Sequence, residues 1–63
     1  DLVGVVGKAI TDLRPSGTAL FGEERIDVVS ESEWISEGAS VRVVRAEGYR
    51  HVVREVPQEG SPE

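Results

Sequence analysis

The side chains that could perform catalysis or bind a metal are few in this sequence and lie apart from one another. There is one histidine, His51, and no cysteine or methionine, so a metal site lacks the further ligands it needs. In the apolar strand pattern around His51, a surface imidazole is more common than a general base. The carboxylates of Glu23 and Glu24 lack calcium-loop spacing, and no nucleophile-elbow or phosphate-loop motif occurs. We therefore expect no catalytic residue, no metal and no cofactor.

Basic and aromatic side chains are the candidates for recognition. Binding of single-stranded nucleic acid requires an electropositive groove with aromatic platforms. The chain has three aromatic residues and a net charge of -5, so we expect no nucleic-acid partner. An oligonucleotide-binding module stays open as an alternative because arginines recur towards the C-terminus, at Arg42, Arg45, Arg50 and Arg54. The candidate binding residues are Arg14, Arg25, Trp34, Arg42, Tyr49 and Arg50.

Five strands separated by short turn signals are predicted to position these side chains. They cover residues 3–11, 18–21, 25–30, 40–46 and 50–56. Valine is frequent, which favours strands, and no helix of three turns fits the pattern. Five short strands with glycines that permit bending indicate an all-β domain over residues 1–57, a five-stranded, partly open Greek-key barrel of the OB-fold type. Residues 58–63 have no apolar side chain, and we expect a disordered tail there.

Two connections between these strands carry specific predictions. Pro15, Ser16 and Gly17 have the residue types of a type I β-turn, with Gly17 as its exit at a crowded corner. Residues 30–38 form an acidic, serine-rich connection that contains Trp34 and Ile35. We expect both to dock on the barrel, with Trp34 closing one end as a buried plug.

Residues 7–18, which read G-x-A-x-T-D-L-R-P-S-G-T, resemble the C-terminal soluble domain of the NfeD family of membrane proteins. The resemblance continues in register through most of the chain, at Gly22, residues 24–30, Trp34, Ile35, Gly38, residues 41–44, Glu47 and Gly48. Trp34 stands where phenylalanine or another aromatic residue is common in the family. The resemblance implies an OB-like barrel, the fold that the strand pattern also predicts.

The resemblance also implies a function. NfeD proteins are membrane-anchored and often encoded beside stomatin, prohibitin or flotillin-like proteins, with which the β-barrel domain is thought to associate. Longer members carry a Clp-like serine protease domain and membrane helices upstream. We therefore expect a non-catalytic interaction domain with a stomatin-class partner, acting in membrane-protein quality control or membrane organisation. Because the chain begins at Asp1 rather than Met, we expect a membrane anchor upstream, with this domain on the cytoplasmic side.

A biotinyl or lipoyl carrier domain is a further alternative. Residues 31–41 match the phrase Glu-x-x-Trp-Ile-x-x-Gly-x-x-Val that such domains often contain. A carrier needs a modifiable lysine at a hairpin tip, but Lys8, the only lysine, falls within the first predicted strand. The carrier prediction therefore lacks its chemistry.

Overall fold

The computed structural model describes residues 2–57, and these contain five strands. The strands are β1 (Val6–Ala9), β2 (Ser16–Phe21), β3 (Glu24–Ser30), β4 (Ser40–Glu47) and β5 (Arg50–Glu55). All five predicted strands are present, with shifted ends. The predicted tail at 58–63 lies outside the described residues.

The first strand is shorter than predicted because the backbone turns before it. Gly4 has a φ of 93°, and the amide of Val5 donates to the carbonyl of Leu2 at 2.9 Å. That turn replaces the extended backbone predicted from residue 3 onwards. Regular pairing begins only at Val6, which lies opposite Arg42.

The strands close into a barrel in the order β1-β2-β3-β5-β4. Every neighbouring pair is antiparallel except β3 and β5, which are parallel. The all-β, OB-like Greek-key prediction is confirmed, although the barrel is closed rather than partly open. Within residues 2–57, closure leaves no full-length edge strand, and this is one way in which β proteins avoid aggregation.

Alternating residues of each strand fill the barrel interior. Ile26 packs against the core from β3, and the next inward residue of that strand, Val28, is buried. A β-bulge at Val44 shifts the register of β4 against β5, so that Val43 faces Val53 and Arg45 faces Val52. The buried cluster comprises Ala9, Leu13, Ala19, Phe21, Val28, Ile35, Val41, Val43 and Val53.

Two hairpins with two-residue turns project from the barrel. Gly22 and Gly48 each occupy the first turn position, with φ values of 65° and 66°. A positive φ at that position is a requirement of the tight hairpin turn, and glycine meets it at little cost. The second hairpin places Tyr49 at its tip, where the side chain is 99% exposed.

The prediction of a type I β-turn at Pro15-Ser16-Gly17 was wrong, but the backbone at Gly17 is crowded, as predicted. Gly17 lies within β2, opposite Val28, and not at the exit of a turn. The reversal is spread over residues 10–15, and the Arg14-Pro15 peptide bond is cis. A Cβ atom on Gly17 would lie 2.5 Å from the carbonyl oxygen of Asp12 and from the Leu13 side chain. Gly17 therefore permits the connection to pack against the strand.

Candidate functional site

A short backbone bridge joins the β1–β2 connection to the β3–β4 connection at one end of the barrel. The amide of Leu13 donates to the carbonyl of Ile35 at 2.8 Å, and the amide of Ile35 donates to the carbonyl of Leu13 at 3.1 Å. Both side chains are buried, at 0% and 3% exposure. Neighbouring side chains in extended backbone point to opposite sides. The bridge therefore turns Arg14 and Trp34 outwards.

Trp34 is exposed, so the prediction that it is a buried plug was wrong. Its side chain is 69% exposed, and Ile35 fills the interior position instead. The guanidinium carbon of Arg14 lies 5.5 Å from the centroid of the indole ring. This distance is within the range of a cation–π interaction, which holds the ring without burying it.

Asp12 fixes this arrangement from the side. Its Oδ2 atom lies 3.2 Å from Nη2 of Arg14, and its Oδ1 atom accepts a hydrogen bond of 2.8 Å from the amide of Glu37. One carboxylate thus connects Arg14 to the loop that carries Trp34. We call the exposed face formed by Asp12, Arg14 and Trp34 the Trp34 surface. Asp12 is not among the candidate residues predicted from the sequence, although it lies two residues before Arg14 in the segment that resembles the family.

Two of the C-terminal arginines are engaged in an ion-pair network. Glu31 lies 2.8 Å from Nη2 of Arg54 and 3.5 Å from Nη1 of Arg45, and Arg45 also contacts Glu47 at 2.7 Å. The hydrogen bond from Arg54 lowers the pKa of Glu31 below its ordinary value of 4.5; desolvation opposes this shift, and Arg45 adds to it. Carboxylates therefore neutralise part of the positive face that oligonucleotide binding would need.

The other candidate residues lie elsewhere on the barrel. Tyr49 and Arg50 line an open groove of about 440 Å³, together with residues of β2 and β3. Arg25 is exposed on β3 opposite Leu20, and Arg42 is exposed on β4 between Val6 and Arg54. The structure thus brings Arg14 and Trp34 together and Tyr49 and Arg50 together.

The groups considered for catalysis remain scattered within residues 2–57. His51, expected at the surface, is half-buried, and its Nδ1 atom is buried without a hydrogen-bond partner. No three acidic or histidine side chains of this range gather as a metal site. Lys8 is exposed within β1 rather than at a hairpin tip, which a carrier domain would require. Nor does that range contain a helix with the length and hydropathy to span a membrane.

Comparisons with known proteins agree with this fold. A family model described as the NfeD-like C-terminal, partner-binding domain matches residues 1–55. Membrane protein NfeD1b of Bacillus subtilis (strain 168) is 50% identical over 56 residues, which are 89% of this chain and 13% of that protein. The chain therefore spans about an eighth of that relative.

Two solved structures are similar. The C-terminal domain of stomatin operon partner protein 1510-C from Pyrococcus horikoshii has a TM-score of 0.85 and 26% identity, covering 90% of this chain and 91% of its own. The soluble domain of a membrane protein implicated in regulation of membrane protease activity, from Corynebacterium glutamicum, has a TM-score of 0.76. With 24% identity over 87% of this chain and 94% of its own, it supports the fold alone.

Proposed function

Because the chain belongs to the NfeD family, we propose that this partner-binding domain is non-catalytic and associates with a stomatin-class membrane protein. The name of the Pyrococcus relative, a stomatin operon partner, supports this class of partner. We further propose that the domain lies on the cytoplasmic side of a membrane and acts in membrane-protein quality control or membrane organisation. The catalytic activity of longer family members would reside outside this chain.

The Trp34 surface is the observation that carries this proposal. Tryptophan and arginine are enriched among the residues that dominate the binding energy of protein interfaces. Here the two side chains already contact each other, with Arg14 held by Asp12. Less side-chain entropy is then lost on binding, because the contact geometry exists beforehand. Because the core is filled by Ile35 rather than Trp34, the indole ring is available to a partner.

The charged side chains around Trp34 indicate which kind of partner surface would complement it. Asp12, Glu33 and Glu37 are exposed around Trp34, and Arg14 is the neighbouring cation. An apolar contact on the indole ring flanked by basic side chains of the partner would complement this surface. A phosphate backbone would be repelled by the same carboxylates.

Binding to a purified stomatin-class protein in lipid nanodiscs tests the proposal. Titration calorimetry with Trp34→Ala should show at least about 30-fold weaker binding, equivalent to the roughly 2 kcal/mol that defines a dominant interface residue. Tyr49→Ala is the matched control, because it removes another exposed aromatic side chain. We expect it to change affinity less than about threefold, a small effect of under roughly 1 kcal/mol.

Two results would overturn the proposal. Equal binding by Trp34→Ala and the unchanged chain would remove the Trp34 surface from the interface. Absence of binding to the stomatin-class protein, with the chain folded by circular dichroism, would remove the partner class. Saturable binding of single-stranded oligonucleotides at physiological salt would favour the oligonucleotide-binding alternative instead.

A further inference from the structure

β3 has neighbours on both sides along only part of its length. It pairs with β2 from Glu24 to Val29, but with β5 only from Val28 to Ser30. On the β5 side, the half of β3 nearest the first hairpin therefore has no paired strand among the described residues. This half is a short open edge in an otherwise closed barrel.

The hairpin turn determines which backbone groups face this edge. In a tight two-residue hairpin, the pair that flanks the turn exchanges both hydrogen bonds, and the pairs then alternate. Phe21 and Glu24 flank the turn, so Glu24 and Ile26 bond to β2. The amides of Arg25 and Asp27 point the other way, towards the edge. An unpaired edge of this kind is a template for an added strand.

A groove lies directly beside the edge. It has a volume of about 440 Å³ and is open to solvent. The half-buried side chain of Val29 and the exposed phenol of Tyr49 give it apolar contact surface, and Thr18 and Ser16 add hydroxyl groups. Its lining residues are Ser16, Gly17, Thr18, Asp27, Val28, Val29, Tyr49 and Arg50.

Two cations near this groove have no ion pair within the part of the chain that the structure describes, whereas three other arginines of the barrel do. Arg14, Arg45 and Arg54 each contact a carboxylate within 4 Å. Arg50 lines the groove, and Arg25 lies two residues from the groove-lining Asp27 on the same face of β3; neither has an ion pair within residues 2–57. These two cations outnumber the one carboxylate of the groove lining, that of Asp27, and therefore complement an acidic side chain of an occupant.

We propose that this groove binds an extended acidic peptide, which adds a strand to β3 through the backbone of Arg25 and Asp27. Main-chain hydrogen bonds would provide affinity, and alternate side chains would provide selectivity. Carboxylates on the outer face of the peptide, the face on which Arg25 lies, would contact Arg25 and Arg50. Apolar side chains on the other face of the peptide would lie towards Ile26. This site is separate from the Trp34 surface and independent of the proposed partner.

The direct test is an NMR titration of the 63-residue chain with the capped peptide acetyl-Glu-Val-Glu-Val-Glu-Thr-amide. We expect saturable amide shifts centred on Arg25, Asp27 and Tyr49, with hydrogen exchange at Arg25 and Asp27 slowed at least tenfold. The same peptide N-methylated at its four central amides keeps the side chains but cannot add a strand. It should bind at least tenfold more weakly.

Variants of the chain separate the charge contribution from the fold. Arg25→Gln and Arg50→Gln should each weaken peptide binding at least threefold. Arg42→Gln is the matched control, since Arg42 is also exposed without an ion pair in the described part of the chain but lies outside the groove. It should bind within twofold of the unchanged chain, and so should Trp34→Ala. A failure here would therefore leave the stomatin-class proposal intact.

Three results would overturn the proposal. The first is absence of saturation at about 1 mM peptide. The second is equal binding of the N-methylated peptide, which would assign the groove to side-chain contacts without strand addition. The third is protection of the Arg25 and Asp27 amides in the free chain that disappears on dilution, which would show that a second copy of the chain fills the edge.

Discussion

Replacement of Gly17 by alanine tests the packing that supports the Trp34 surface. The added Cβ atom would lie 2.5 Å from three atoms, the carbonyl oxygen of Asp12, Cδ2 of Leu13 and Oγ1 of Thr11. A Cβ atom does not occur at such distances, so the connection must move away from β2. That movement would also disturb the hydrogen bond that Thr18 donates to Thr11.

The expected cost of this substitution is large for so small a domain. Overpacking typically costs 1–3 kcal/mol. We expect about 3 kcal/mol for Gly17→Ala, because one of the crowded atoms belongs to the backbone and cannot rotate aside. A domain of this length has about 3–9 kcal/mol of total stability. The melting temperature should fall by about 12–24 °C.

Thermal unfolding followed by circular dichroism measures this cost. Gly48→Ala is the control, because Gly48 has open space around it and only its φ of 66° resists a side chain. A left-handed conformation costs a non-glycine residue about 1–2 kcal/mol. The control should therefore lose about 4–16 °C, less than Gly17→Ala. A Gly17→Ala melting temperature within about 4 °C of the unchanged chain would refute the packing described here.

Further predictions concern the same end of the barrel. Ile35→Ala should cost about 2–5 kcal/mol because it empties a buried position, whereas Trp34→Ala should cost under about 1 kcal/mol; comparable melts for the two variants would contradict their assigned orientations. In the unchanged chain, Trp34 fluorescence should be red-shifted and quenched by acrylamide. The pKa of Glu31 is lowered by Arg54, so its stabilisation is present above pH 4.5 and lost as the pH falls through the lowered folded value. Glu31→Gln should therefore melt lower at neutral pH and show a smaller loss on acidification, and Glu55→Gln should do neither.

The positions of the strands in the sequence could be predicted because the signals for each strand are local. Apolar and charged residues alternate around Ile26 and Val28, and glycines at 22 and 48 mark the hairpin turns. Each signal lies within a few residues of the element it determines. Barrel closure and the parallel pairing of β3 with β5 depend on contacts between distant segments. The sequence predicted a partly open barrel and did not predict this pairing.

The orientation of Trp34 could not be predicted from its own segment. Trp34 and Ile35 are adjacent apolar residues in an irregular connection, where neither strand nor helix periodicity indicates which one points inwards. The bridge between Leu13 and Ile35 decides it, and these residues are far apart in the sequence. The contact of Arg14 with the indole ring depends on the same bridge. Arg14 and Trp34 were both named as candidate binding residues and both are exposed, but Trp34 was expected to be buried.

A change in the environment of Trp34 when the partner binds would show most directly that the Trp34 surface is the partner-binding site. Trp34 is the only tryptophan of the chain, so 5-fluorotryptophan labelling gives a single ¹⁹F resonance that reports on it. Addition of a stomatin-class protein in lipid nanodiscs should shift or broaden this resonance saturably, and empty nanodiscs should leave it unchanged. A resonance that stays unchanged while the chain co-elutes with the loaded nanodiscs would contradict the assignment of the Trp34 surface as the partner-binding site.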